Sequence, residues 1–393
     1  MLAFASSPYI AFSWVGGPIS QSVLNGPGWR WGFGIWAIVL PVVVLPLAAL
    51  LEWNQRKARK AGLLPPKEVR LSWSSTKDYI LQVDLGGCII LAGGLALFLL
   101  PFSLYSYQKD KWESPMIICM LVFGCLLLVG FVAYERFVAP VTFIPFHLLM
   151  DRTVFSAGLM FMFVFFNNRV WGAFFGSQLQ VVWDLDVTNA SYITSTRRVG
   201  QCLFGVLVGF LIRWTGRFKW IALSLGIPLY MLALGLLIRF RSYGSDIGLV
   251  AMCQIFAGLA SGAVVLTGEI AMMTPSDHQH IAVIIAVLNI FCSVGSAAGG
   301  SVASAIWTGV FPGRLRRYLP EGVDAAPIYA DIVQQMAYPI GSPERDAISR
   351  AYGDTQRLLL VTSIALLAGG LGCVFFWRNL EVKSHKQVKG MVV

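Results

Sequence analysis

The chain predicts an all-α integral membrane protein, and three observations carry that prediction. Of its 393 residues, 56 % are hydrophobic and only 13 % charged, about half the usual charged share. The apolar residues gather in blocks of about twenty with almost no internal charge, each able to cross a hydrocarbon core of roughly 30 Å as a helix. The alternating ten-residue segments of a membrane barrel are not visible.

Ten blocks are read as spans: 2–24, 31–51, 80–104, 115–134, 153–179, 189–212, 220–238, 247–273, 281–310 and 358–377. The first lacks the basic n-region of a cleavable signal peptide, so insertion is expected to rely on the spans themselves. Seven basic residues (Arg56, Lys57, Arg59, Lys60, Lys67, Arg70, Lys77) crowd the segment between the second and third spans and assign it to the cytoplasm. Alternation then puts both chain ends inside and 311–356 outside. The net charge of +10 is thus a membrane-topology signal and not a nucleic-acid one. The expected partner surface is the lipid bilayer, with no nucleic acid.

No metal site is expected. The seven cysteines all fall within spans, and His147, His278, His280 and His385 are too dispersed for a bare-metal site. No cofactor is expected either: a Gly-rich phosphate loop followed by Lys-Ser/Thr is missing, which excludes ATP as the energy source. Enzyme chemistry is disfavoured because no intramembrane His accompanies a Ser and no intramembrane Asp pair exists.

Charges inside spans are default functional candidates. Asp84 reads as a helix-start residue. Arg169 lies mid-span in FFNNRVWGAFFGSQLQVV, where helical spacing lines up Asn167, Trp171, Phe174 and Gln178 on one face. That mixture suits a bulky amphiphilic ligand, and Arg197 and Arg198 of the next span are expected to add positive potential, or to pair with Asp184 or Asp186. Glu269, in LTGEIAMM, is the proton-coupling candidate. Gly-x-x-x-Gly recurs at Gly205/Gly209, Gly258/Gly262 and Gly295/Gly299, marking close helix contacts that could rock.

Six closely spaced spans from 153 to 377 match one half of a major facilitator transporter, with GFLIRWTGRFK as its cytoplasmic turn. Arg213 stands where the family usually has Asp. Gly16-Gly17-Pro18 and Trp29-Arg30-Trp31 resemble the fifth and sixth helices of that superfamily. The segments VDLGGCIILAGGLALFLLPFSL, YERFVAP and FIPFHLLMDRTVF are similar to fourteen-helix drug:proton antiporters. More specifically, WRWGFGIWAI, GRFKWIALSLGIPLYMLALGLLIRFR, SAIWTGVFPGRLRRYLP and the loop IYADIVQQMAYPIGSPERDAISRAYGDTQRLLL resemble the fungal siderophore–iron transporter family, from about Ser6 to Phe376.

The resemblance implies a major facilitator fragment holding the last ten of fourteen helices. Its parts would be a two-helix remnant (1–51), a basic linker (52–79), a central extra pair (80–152), a six-helix bundle (153–377) and a cytoplasmic tail (378–393). It implies proton-coupled import of a ferric siderophore of hydroxamate type, at the plasma membrane or in endosomal vesicles. Tyrosines of the outer loop would take part, Tyr352 matching best and Tyr338 second. The family commonly follows the Trp with Asp and then Tyr, whereas Trp171 here is followed by Gly172 and Phe174, which weakens proton chemistry there. Alternatives are a glutathione:proton exchanger, a multidrug:proton antiporter, or a fragment that does not transport. The outer loop itself is too long and too periodic for a plain connection; it predicts short helices, with Ser342-Pro343-Glu344 as a helix start.

Overall fold

The computed structural model describes residues 7–62, 84–104, 108, 110–138, 150–275 and 281–381. Lys67, Arg70, Lys77, the four histidines and most of the expected tail lie outside these residues. The described chain is helical, without β-strands. In order come α1 (Pro8–Asn25), α2 (Trp29–Lys60), α3 (Leu85–Leu99), α4 (Pro115–Phe137), α5 (Arg152–Gly172), α6 (Phe175–Trp183) and α7 (Val187–Thr215). There follow α8 (Ile227–Phe240), α9 (Ile247–Met273), α10 (Ile281–Tyr318), α11 (Ala325–Ala330), α12 (Ile332–Ala337) and α13 (Pro343–Phe375). Among the described residues, seven helical segments are long and apolar enough to cross a membrane, and the shorter α3 is apolar as well.

Helix starts follow the sequence. Asp84 caps α3 by accepting from the Gly87 amide, and also accepts from the Tyr134 hydroxyl at 2.9 Å. Asp151, Asp186 and Asp246 cap α5, α7 and α9 in the same manner. Ser342 caps α13 with Pro343 in its first turn. That helix is longer than the 358–377 span read from hydropathy, because polar residues 343–357 continue it outward. Likewise α10 runs on to Tyr318, which reduces the outer connection to α11, α12 and their turns.

Two corrections concern helix continuity. The span read as 153–179 is broken: Ala173 and Phe174 leave the helix between α5 and α6, and Phe174 adopts a left-handed backbone (φ 56°). A π-helical segment, Ala222–Gly226, precedes α8.

The core packs α5 against α10, α13 and α9, and α7 against α9, while α1 leans on α7 and α3 pairs with α4. Small residues allow this proximity. A side chain at Gly258 would collide with the Arg197 backbone, and one at Gly299 would come within 3.0 Å of Arg169 Cβ. Gly205 shows no such contact. At and just past the C-terminus of α13 the carbonyls are taken by cations: Lys219 Nζ donates to Phe375 and Trp377, and Arg152 Nε to Phe376.

Topology gives a first test. A cysteine replacing the exposed Ile340 (71 % accessible) should react with an impermeant maleimide added to intact cells, above the unsubstituted background, whereas one replacing Ala61 should not. The reverse pattern would invert the orientation.

Candidate functional site

The break between α5 and α6 organises the site. A helix interruption frees backbone carbonyls that lipid cannot satisfy. Here Arg241 Nη1 donates to the Trp171 carbonyl at 2.7 Å and Gln356 Nε2 to the Ala173 carbonyl at 3.1 Å. Arg241 is buried. Its Nε donates to Gln178 Oε1 at 2.6 Å, Gln178 Nε2 returns a bond to the Arg241 carbonyl, and the guanidinium lies 4.1 Å from the Phe175 ring centroid.

Phe174 is held in its left-handed conformation by aromatic stacking. It lies face to face with Trp307 (centroids 4.0 Å apart), which stacks on Phe311 at 4.3 Å, and Tyr352 meets both edge-on. Each pair contributes about 0.5–1.5 kcal/mol beyond burial. The one pair that includes Phe174 is thus of the same order as the ~1–2 kcal/mol that a left-handed non-glycine residue costs.

On the inner side of the break a cavity of about 790 Å³ opens between α5, α7, α9 and α10. Five of the residues expected from the sequence border it: Arg169, Trp171, Phe174, Arg197 and Arg198. Arg197 lies 5.6 Å from the Trp171 ring centroid. No ion pair to Arg169, Arg197 or Arg198 is found among the described residues. Asp184 instead pairs with Arg345, and Asp186 caps α7, so the expected pairing of these acids with Arg197 or Arg198 does not occur.

The other expected residues lie elsewhere. Asn167 is buried against α13, where its carboxamide oxygen accepts from Ser363 at 2.7 Å; Asn168 lines the cavity in its place. Gln178 is committed to Arg241. The helix break cancels the single stripe that continuous spacing implied. Glu269 does not border the cavity; it lies fifteen residues beyond the cavity-lining Gln254 on α9, about 22 Å along the helix. Tyr352 is 2 % accessible and its hydroxyl donates to Gln335 Oε1 at 2.8 Å, so it is built into the outer cluster. Tyr338 is half-buried there, and its carbonyl accepts from Arg345.

Sequence reasoning missed the two arginines that matter most structurally. Arg241 falls just past the predicted span end and reads as an interfacial flank. Arg345, 3 % accessible, is indistinguishable from a surface charge in SPERD. It donates to the carbonyls of Val181 (2.7 Å), Gln335 (3.0 Å) and Tyr338 (3.1 Å) and pairs with Asp184 (3.0 Å). It therefore ties the outer cap of α11 and α12 to α6.

Broken, cavity-lining helices within a bundle of apolar spans define a helical membrane transporter. No protein-family model matches the chain. Over the whole chain, it is 51 % identical to MFS siderochrome iron transporter 1 of Ajellomyces capsulatus, covering 67 % of that protein, and 41 % identical to MFS siderochrome iron transporter B of Aspergillus fumigatus, covering 64 %. Over 99 % of the chain it is 39 % identical to siderophore iron transporter mirB of Emericella nidulans, covering 65 % of it. The chain spans about two thirds of the length of these curated relatives. It belongs to the siderophore–iron transporter family of the major facilitator superfamily, a family of transporters and not of enzymes.

Two mutational expectations follow from the geometry. Arg241→Ala leaves the Trp171 carbonyl and Gln178 Oε1 unpaired in the core, at roughly 1–3 kcal/mol for each group. The thermal midpoint of the purified protein should fall, and Arg241→Lys should not restore it, since an ammonium lacks the guanidinium fork. An unchanged midpoint would show that the break does not depend on Arg241. Tyr352→Phe should cost roughly 1–3 kcal/mol, because it leaves the buried Gln335 Oε1 without its donor. Tyr352→Ala opens a void beside Trp307 and Phe311 worth ~3–5 kcal/mol, so its midpoint should drop well below that of Phe. Equal drops would contradict the packing role.

Proposed function

We propose that the chain is the cavity-bearing part of a secondary transporter that imports ferric siderophores, of hydroxamate type, by alternating access driven by the proton gradient. The observation that carries this reading is the cavity. Guanidinium donors and aromatic faces meet there beside an interrupted helix, and curated relatives at up to 51 % identity bear siderophore or siderochrome transporter names. The aromatic faces of Trp171 and Phe174 suit the carbon scaffold of a chelate, and the arginines suit its oxygen-rich surface. Glu269 is our candidate for proton coupling. In this reading it belongs to the cytoplasmic half of the pathway, away from the cavity, so protons and substrate would meet through helix movement and not by direct contact. We assign the protein to the plasma membrane, with endosomal vesicles as a second station. Our division into remnant, linker, central pair and bundle follows the same reading.

A glutathione:proton exchanger is the second reading, favoured by one feature: unpaired cavity arginines also suit the carboxylates of glutathione. The test uses yeast lacking its own siderophore uptake and expressing the gene product that contains this chain. Radio-iron delivered as ferric trihydroxamate should accumulate above the vector control. Accumulation should collapse with a protonophore and should withstand excess glutathione. Accumulation at the control level, with the protein at the cell surface, would reject iron import. Competition by glutathione would favour the exchanger.

A further inference from the structure

We propose that the cavity selects ferric chelates carrying net negative charge, with Arg169, Arg197 and Arg198 reading the charge and Gln254 adding a neutral donor. The inference rests on the import reading above and narrows its substrate.

Two independent features point to such a ligand. The first is the set of three guanidiniums. They face one space of about 790 Å³ with no carboxylate partner among the described residues, and no Asp or Glu lines that space. Guanidinium has donors and no acceptors, so only an acceptor-rich ligand or water can complete it. The buried arginines outside the cavity direct donors to the protein: Arg345 takes three carbonyls and an aspartate, and Arg241 takes a carbonyl and a carboxamide while its Nη2 has no partner, whereas Arg169 and Arg198 are exposed. The second feature is Gln254. It is 1 % accessible, borders the cavity, and its Nε2 has no hydrogen-bond partner. A buried, unpartnered amide donor on a residue that borders a cationic cavity matches the same acceptor-rich ligand.

A ferric trihydroxamate core is neutral as a whole. What the arginines would distinguish is its periphery, where a carboxylate can take a bidentate guanidinium bond and an ammonium meets only repulsion. The backbones that carry two of the donors are closely packed from behind, since Gly258 of α9 sits on the Arg197 backbone and Gly299 of α10 on that of Phe166 and on Arg169 Cβ.

The test holds the iron core constant and changes only the charge. A linear trihydroxamate with a terminal amine is used with that amine free, acetylated or succinylated, giving iron complexes with one positive charge, none, or one negative charge. Equilibrium binding of radio-iron to the purified full chain should rise in that order. The succinylated form should lead the acetylated one by ~10-fold or more at low ionic strength, and the lead should shrink as salt is raised. Arg197→Gln should remove most of that lead, and Arg197→Lys should retain part of it. Equal binding of the three complexes would overturn the charge selection and leave the import reading standing, as would preference for the free amine. Binding of glutathione with no binding of any iron complex would overturn both. Should a variant fail to fold, the comparison of three complexes on the unaltered chain still decides.

Discussion

A membrane-spanning helix that stops and restarts must satisfy the carbonyls it releases, and the arrangement of this molecule depends on how that is done at Trp171 and Ala173. Lipid offers no donors, and each unmatched group would cost several kcal/mol. The donors come from two distant places in the chain: Arg241 at the outer end of α8 and Gln356 within α13. Supplying them fixes α8 and α13 relative to the break. It also turns Phe174 outward onto Trp307 and leaves Arg169 and Trp171 facing the cavity. Local backbone chemistry and the placement of three helices are thus one problem with one solution.

The half-helix α6 is held by side chains at both ends. Arg241 takes Gln178 near its start, and Arg345 takes Val181 and Asp184 near its end. The Arg345–Asp184 pair contributes little by Coulomb attraction, because Asp184 is about half exposed and screened. The three carbonyl acceptors of Arg345 matter more: removing the guanidinium would orphan several buried groups at once. Through this clamp, any displacement of the outer cap is transmitted to α6, and through α6 to the residue that closes the cavity's outer side.

Membrane character, helical class and family were legible in the sequence because each rests on many residues at once. Hydropathy sums over twenty positions, and the family segments run for dozens. Helix starts were legible at Asp84 and Ser342, where the cap chemistry is local. The site was legible only in part. Arg169, Arg197 and Arg198 could be flagged, since a charge in an apolar run is conspicuous. Asn167 lies before the break, within α5, and packs on α13 through Ser363. Gln178 lies past the break, where a spacing rule that assumes an unbroken helix misplaces it, and nothing in Trp171-Gly172-Ala173-Phe174 announces the break. Its cause is tertiary, lying in Trp307 and Arg241, which are remote in sequence. Arg345 was invisible for the complementary reason: its flanking residues are polar, so burial leaves no mark on the local pattern.

The arginines of this chain therefore divide by how they are satisfied, and that division separates the rigid parts from the movable ones. Arg169 and Arg197 are seated by glycine contacts against helix backbones. Changing their positions would require whole helices to separate, against close packing that has no slack. Arg241 and Arg345 act through side-chain hydrogen bonds to a nine-residue half-helix. Such bonds can be exchanged for equivalent ones at small net cost, since a typical hydrogen bond is worth only about 0.5–1.5 kcal/mol overall. A ligand that completes the cavity arginines would act on groups that are already in place. The lowest-cost response available to the protein is then a movement of α6 and the cap, with the aromatic stack on Phe174 as the contact that must be broken or kept.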